Sequence, residues 1–561
     1  MHFIGLEAKE AMKTVLYFVL AAGIFGGSTA VAQFTGKDAS TLKAAEATFN
    51  AEHLMKHIQV LASDDYTGRA PGTDGETKSV AYIIEQAKAI GLRPGAPDGG
   101  WTQKAQLWGM LSQGRMTLKV NGKETALVAG KDYVAFSYMP VPKIEVAPTD
   151  VVFVGYGAVA PEYRWDDYAG VDVKGKTVVV LSGDPPVADP SDPAKLDEKM
   201  FLGQALTVYG RTGTKLETAY RHGAAAVILL LAGAQASPGV VQNYTRELMI
   251  LRGPEERNRV QAVASLSGDG AAAFFAAAGQ NLAALRAAAA KPGFHAVPLQ
   301  GEAAFSIANR VRQVDSANVI AKIQGSDPKL KKEYVVYSGH WDHHGQVGDN
   351  IYHGASDNAA GTAGVLELAR AFQSMQTKPK RTLLFLWPTA EEKGLLGAKW
   401  YVEHPLYPLK DTVANINLDY FSNWGWGLTK DFSIVGIGNS TLDDWTMAAV
   451  KAQGRVVTGD TAPEQGFYFR SDHYEFARLG VPSIETSPGI DYVGKPADFG
   501  LRMRAEYIAH DYHQPSDVVK PGWDLSGAVE DLQVLLDIGY RAAQSEERPT
   551  WKPDAIWRPK P

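Results

Sequence analysis

Cysteine is absent from all 561 positions of the chain. That excludes disulfides, thiolate metal ligands, a cysteine nucleophile and lipid attachment through cysteine. Stability has to come from the core, and any metal has to be held by nitrogen and oxygen. A long apolar run is also missing: the stretch Val15 to Gly27 extends about a dozen residues, well short of the ~20 that cross a bilayer. No lysine–arginine run occurs, and a formal charge of −6 leaves no basic footprint for nucleic acid. There is no internal repeat, which argues against a solenoid. What remains, 45% hydrophobic and 21% charged residues, is the balance of an ordinary globular protein.

The short apolar stretch has a use of its own. Lys13 precedes it, and Ala30-Val31-Ala32 offers small residues in the signal-peptidase pattern before Gln33, so residues 1–32 are expected to be a cleaved secretory signal, with Met12 as an alternative start. Export to the periplasm or the medium follows, with no stable membrane span after cleavage. A retained anchor is the competing reading.

The length suggests about three to four units. Leu42 to Ile58 and Val80 to Ile90 have helical character, the second stopping at Gly91. Between them lies Ser63-Asp64-Asp65-Tyr66-Thr67-Gly68-Arg69-Ala70-Pro71-Gly72-Thr73, dense in turn formers. Trp101 to Met110 and Met116 to Val120 read as two strands. From about Tyr138 the texture changes to strands at residues 151–157, 176–181 and 224–231, with an alanine-rich helix pair over 271–290. No histidine–carboxylate cluster falls between residues 136 and 296, so that segment reads as an inserted module without chemistry of its own. Residues 33–135 and 297–545 then make one main domain, and 546–561 a Pro- and Trp-rich tail. From residue 304 onward strands alternate with helices, which predicts an α/β fold with a mostly parallel, helix-covered sheet.

The chemistry concentrates at strand ends. Glu333-Tyr334-Val335-Val336-Tyr337 leads into His340 and Asp342, which share a face because they are two apart. Asp357 follows in Gly354-Ala355-Ser356-Asp357-Asn358. The strand 381–387 runs into Glu391-Glu392, and the strand 412–418 into Asp419. A later loop, His510-Asp511-Tyr512-His513, supplies another imidazole. Imidazole with carboxylate is the ligand set of catalytic zinc, with cobalt or manganese as substitutes. Two histidines and several carboxylates exceed one open site, so a two-metal centre bridged by a carboxylate fits better.

These motifs, with Ser471-Asp472-His473 and Tyr512-His513, resemble the co-catalytic two-zinc exopeptidases that include bacterial leucyl-type aminopeptidases and glutamate carboxypeptidase II. The resemblance is dense over residues 316–540. It implies a phosphorylase/hydrolase-like zinc-peptidase sheet and two zinc ions. Asp357 would bridge them, His340 and Asp419 would complete one site, and Glu392 and His513 the other. It further implies Glu391 as general base, Asp342 as the partner that orients His340, and Tyr468 as an oxyanion donor. Residues 136–296 look like the protease-associated (PA) domain often inserted in this family, β-rich and weaker in resemblance. The turn-rich segment around Arg69 resembles the family's N-terminal stretch that folds back onto the active site.

An aminopeptidase acting on peptides is therefore the leading expectation. A carboxypeptidase or dipeptidase would need arginines for a terminal carboxylate, with Arg470, Arg502 and Arg504 as positional candidates. A receptor-like relative would have lost ligands, and a glutaminyl cyclase would keep one metal. His343, His344, His353 and His510 are surplus to the five-ligand set and are expected as supporting or surface groups. His473 is expected to support the pocket, and Tyr420, Trp424 and Trp426 are candidates for lining it. Oligomeric state is not legible.

Overall fold

The computed structural model describes residues 34, 36–231, 246–253, 259–419, 425–553 and 555. The expected signal over 1–32, the candidate pocket residues Tyr420 and Trp424, and the end of the tail lie outside them.

Tyr334–Ser338, Thr382–Trp387 and Thr412–Asn417 are apolar or β-branched along almost their whole length, and nearly every side chain in them is buried. Such uninterrupted strands suit a parallel sheet covered on both faces. Thr412–Asn417, Tyr334–Ser338 and Thr382–Trp387 lie side by side in that order and run parallel, with Ser483–Pro488 parallel beyond the first. Asp431–Val435 adds antiparallel to Ser483–Pro488 and carries Val456–Gly459 at the edge. On the other side, the end of Val297–Ile323 closes antiparallel on Thr382–Trp387. Alternation sorts the two faces. Val335, Tyr337, Leu383 and Phe385 pack with Leu54, Ile83, Leu366 and Leu532 from four helices. Val336, Leu384 and Leu386 pack with Tyr401 and Phe476 on the opposite face. The chain thus forms the α/β, mostly parallel, helix-covered sheet expected from its sequence.

From Tyr334–Ser338 the chain crosses through helix Ala360–Ser374 to Thr382–Trp387 on one side, then through Leu396–Glu403 to Thr412–Asn417 on the other. The order reverses there, and the carboxyl ends of strands at such a reversal open the crevice where ligands bind.

Thr102–Val120 is one strand, where the sequence suggested two. Ser112, Gln113 and Gly114 look like a break, yet they pair with Asn309, Ala308 and Ile307 of the 27-residue strand Val297–Ile323. These two strands stay in antiparallel register from Thr102↔Val319 to Lys119↔Glu302, running out of the main sheet into a second body. There Lys143–Phe153, Thr177–Leu181, Ala226–Leu230 and Ala262–Leu266 are parallel neighbours. The alanine-rich stretch forms two helices, Gly268–Ala277 and Leu282–Ala289. The apolar core of this body takes in Met116, Leu118, Phe305 and Ile307, positions outside residues 136–296. Leu42 to Ile58 is likewise two helices, Gly36–Glu46 and Ala51–Leu61, because Asn50 caps the second and accepts a hydrogen bond from the Glu52 amide at 2.7 Å. Among the described residues no helix is long and apolar enough to cross a membrane.

Candidate metal centre

Each strand end in the crevice presents ligand-type side chains, and the structure brings them together. His340 is buried, and its Nε2 lies 3.5 Å from Asp357 Oδ1, 3.5 Å from Asp419 Oδ1 and 3.7 Å from Glu391 Oε2. His513 Nε2 lies 3.1 Å from Asp357 Oδ2 and 3.2 Å from Glu392 Oε2. Two donor groups result, His340 with Asp357 and Asp419, and Asp357 with Glu392 and His513, and the two share Asp357.

The ligand loops are fixed by buried hydrogen bonds. Asn358 Nδ2 donates to the Leu418 carbonyl at 2.9 Å, and Thr362 Oγ1 donates to the His340 carbonyl at 2.7 Å. A Cβ at Gly361 would lie 2.1 Å from Asn358 Oδ1 and 2.2 Å from the Leu418 carbonyl. Only glycine lets these two strand ends approach so closely. Asp517 accepts from the amides of Ser356 at 3.0 Å and Asp357 at 3.1 Å. Asp342 Oδ1 accepts from the Glu391 amide at 3.0 Å and stands 3.6 Å from His340 Nδ1, while the nearer partner of that nitrogen is the Asp342 carbonyl, at 3.1 Å. Asp342 therefore ties the His340 end of one strand to the Glu391 end of the next.

The titration behaviour is that of crowded carboxylates out of water. Burial pushes Glu391 well above the usual carboxylate range, with His340 opposing and Asp419 adding to the rise. Burial takes Glu392 up to about 8 despite His513 beside it. Asp357 is the exception: burial would raise it, yet His340 and His513 hold it well below its ordinary value. His340 is driven well above its own, because the carboxylates around it outweigh the burial that would lower it. The cluster calls for positive charge. Among the described residues, His340 Nε2, Asp419 Oδ1 and Asp342 Oδ2 are buried with no hydrogen-bond partner, and an imidazole–carboxylate donor set of this kind fits a divalent metal.

Arg69, in the turn-rich N-terminal segment, is completely buried beneath the centre. It donates to the carbonyls of Trp341 at 2.9 Å, Leu61 at 2.7 Å, His353 at 2.6 Å and Gly354 at 2.9 Å, so the expectation that this segment borders the site is met. Gly68 beside it has φ +69, and a Cβ there would fall 2.4 Å from the Tyr352 carbonyl.

The surplus histidines divide. His353 bonds Asp64 at 2.8 Å and His510 is exposed, as expected. His343 is buried against Glu392 and His344 packs beside it with its side chain 8% exposed, and burial lowers His343 to about 4 and His344 well below its ordinary value. Tyr468 is buried on the short turn Phe467–Phe469, edge-on to His473 at 4.9 Å. Trp426 stands beside Tyr492 and Phe499, lining a cavity with Asp517 and Trp523. Arg470 and Arg504 line the cleft next to Asp419; Arg470 reaches Tyr512 Oη at 2.8 Å, and Arg504 reaches Thr461 Oγ1 at 2.5 Å. Arg502 instead lies over Phe499. Asp517 and Arg69 are the residues that sequence reasoning assigned no role. The only local signal for Asp517 was its place four residues after His513.

The second body touches this side of the crevice. Leu206 donates its amide to the Pro463 carbonyl at 3.0 Å and sits where a Cβ on Gly466 would be, while the Arg211 guanidinium lies 4.3 Å from the Tyr474 ring. Leu206 and Val208 pack with the apolar group that contains Tyr468 and Phe469.

The chain is similar to known peptidases in sequence and in fold. Residues 318–536 match Peptidase family M28. Aminopeptidase NAALADL1 is 28% identical in Mus musculus and 34% in Rattus norvegicus, each over 284 residues that cover 46% of this chain. The chain spans about a third of the length of these relatives, 34% in both cases. Among solved structures, the aminopeptidase from Aneurinibacillus sp. strain AM-1 shares the fold, with a TM-score of 0.51 at 21% identity over 93% of this chain and 98% of that one. Over residues 318–536 the chain is thus similar to Peptidase family M28.

Proposed function

We propose that this protein is an exported, metal-dependent aminopeptidase that removes residues from the free N-terminus of peptides. The observation that supports it best is the pair of donor groups sharing Asp357, with Glu391 on their rim. In this reading His340 and Asp419 would hold one metal, Glu392 and His513 the other, and Asp357 would be shared by both. Two zinc ions, or cobalt or manganese in their place, would supply Lewis acidity toward the scissile carbonyl and the attacking water.

The remaining work falls to the chain. Glu391 accepts the proton of the attacking water and passes it to the leaving amine. Burial suits it to that task, since it lifts the carboxyl above its usual range and so makes it a better proton acceptor. Asp342 holds the Glu391 amide and stands behind His340, so base and ligand keep a common orientation. Tyr468 offers its hydroxyl to the oxyanion. Residues 136–296 are proposed as a protease-associated domain, and its contact at Leu206 steadies the turn that carries Tyr468.

A carboxypeptidase or dipeptidase activity is the second reading, favoured by the two arginines lining the cleft, Arg470 and Arg504. Mass spectrometry of the zinc-loaded protein with an unblocked peptide and its N-acetylated twin separates the two. Stepwise loss from the free N-terminus alone, abolished in Glu391→Ala, is the expected result. Loss from the C-terminus of both peptides would transfer the assignment to the arginines.

A further inference from the structure

His343 and His344 are the two imidazoles for which the five-ligand centre has no use, yet both are packed against one of its carboxylates. His343 Nδ1 lies 2.5 Å from Glu392 Oε1, and His344 Nε2 lies 3.5 Å from Glu392 Oε2. The side chains are 0% and 8% exposed. All four of their ring nitrogens, and Glu392 Oε1, are buried without a hydrogen-bond partner among the described residues.

A nitrogen 2.5 Å from a carboxylate oxygen is close enough for a hydrogen bond, so the lack of one means that the N–H direction misses the oxygen. Both atoms keep a lone pair for a cation, which would widen their separation toward the roughly 3.3 Å between two ligands each ~2.05 Å from a tetrahedral zinc. The proposed two-metal centre also has unpartnered atoms: His340 Nε2 and Asp419 Oδ1 are 3.5 Å apart, and neither has a hydrogen-bond partner among the described residues. Two imidazoles and one carboxylate make a set that binds zinc and leaves a position open to solvent.

We propose that His343, His344 and Glu392 form a third cation site beside the two-metal centre, for a dication that favours imidazole, such as zinc, cobalt, nickel or copper. The site rests on the two-metal reading, because it shares Glu392 with it: Oε2 faces His513, and Oε1 faces His343. It is the weakest of the three. It has one carboxylate, and its outer side carries positive charge, since the Arg246 guanidinium lies 4.5 Å over the Tyr352 ring that meets His344 edge-on. Lys393 follows Glu392 directly. The third cation binds last and draws on the carboxylate that serves the second, so excess dication slows turnover.

The test is the zinc content of the full-length protein, stripped by chelator, then equilibrated at rising free zinc and measured by elemental mass spectrometry. His344→Ala and His343→Gln are run alongside. Crystals of the zinc-saturated wild type, with anomalous scattering at the zinc edge, locate each ion without any variant. The expected result is three zinc ions per chain, the last peak lying between His343, His344 and Glu392, and loss of that one equivalent in either variant. Saturation at two in the wild type overturns the third site and leaves the two-metal reading standing. Three equivalents in the wild type and both variants, with no peak beside His344, also overturns it. Fewer than two in a catalytically active wild type overturns the two-metal reading itself.

Discussion

Replacing Arg69 with methionine tests whether a cation buried beneath the centre holds the ligand loops in place. Its guanidinium makes four hydrogen bonds to main-chain carbonyls, three of them from Trp341, His353 and Gly354 in the ligand-bearing segments. At the low end of the range for hydrogen bonds to a charged group, ~1.5 kcal/mol each, their loss costs about 6 kcal/mol. Against this stands the cost of burying the cation. Burial lowers Arg69 to about 10 even with Asp517, Asp342, Asp357 and Glu392 nearby, a fall equivalent to roughly 3 kcal/mol that methionine avoids. The net expectation is a destabilisation of about 3 kcal/mol, within the range for dismantling a buried charged network. The loss should be larger in the metal-free protein, where the surrounding carboxylates have no other counter-charge. Urea denaturation of both forms measures it, and a chelator competition should show metal affinity down by ~10–100-fold, as for residues that orient metal ligands. Arg69→Lys should recover only part, because an ammonium cannot reproduce the guanidinium fork. If Arg69→Met unfolds within about 1 kcal/mol of wild type and binds metal normally, the clamp reasoning is wrong.

Glu391→Gln should retain both metals by elemental analysis while kcat falls ~10²-fold or more; loss of metal together with rate would make Glu391 a ligand instead. Asp531 faces Arg455 at 2.8 Å, with both side chains buried, and Arg455 also donates to Thr429 Oγ1 at 2.7 Å. Asp531→Ala leaves that cation only the Glu530 carboxylate, 4.0 Å away, and should cost about 3 kcal/mol in chemical denaturation, and a change within measurement error would show the pair to be immaterial. Burial lifts Asp167 to about 6 although it accepts from Trp165 Nε1 at 2.7 Å. The folded protein therefore keeps a proton there that the unfolded chain has released, and this contribution, complete below the ordinary carboxylate value, disappears as pH rises through about 6. Asp167→Asn should flatten the fall in stability between roughly pH 4 and 6, and an unchanged slope in a denaturation series would refute the assignment.

The ligand residues were legible because each lies just past a strand whose apolar run announces it: Tyr334 to Ser338 before His340, Thr382 to Trp387 before Glu391, Thr412 to Asn417 before Asp419. Periodicity is a local property, and so is a motif. What covers those strand ends is decided by distant chain. Arg69 bonds carbonyls 272, 284 and 285 positions away, and nothing in a stretch of turn formers marks that reach. His343 and His344 were read as surplus because the family pattern has no place for them, and burial is not written in a histidine's neighbours. The polar residues Ser112 and Gln113 suggested a break between strands because pairing with Val297–Ile323, which sustains the strand there, lies about 200 positions further along the chain.

The unbroken ladder between Thr102–Val120 and Val297–Ile323 acts as a common ruler for two cores. Side chains alternate strictly along a strand, so a slip of one residue turns every later side chain to the opposite face. With Leu107, Val314 and Val319 buried at one end and Met116, Leu118, Phe305 and Ile307 at the other, a single-residue insertion near Gln113 that no bulge takes up exposes one of the two sets. It would put one half of the molecule out of phase with the other. The two bodies therefore share one frame along this pair of strands.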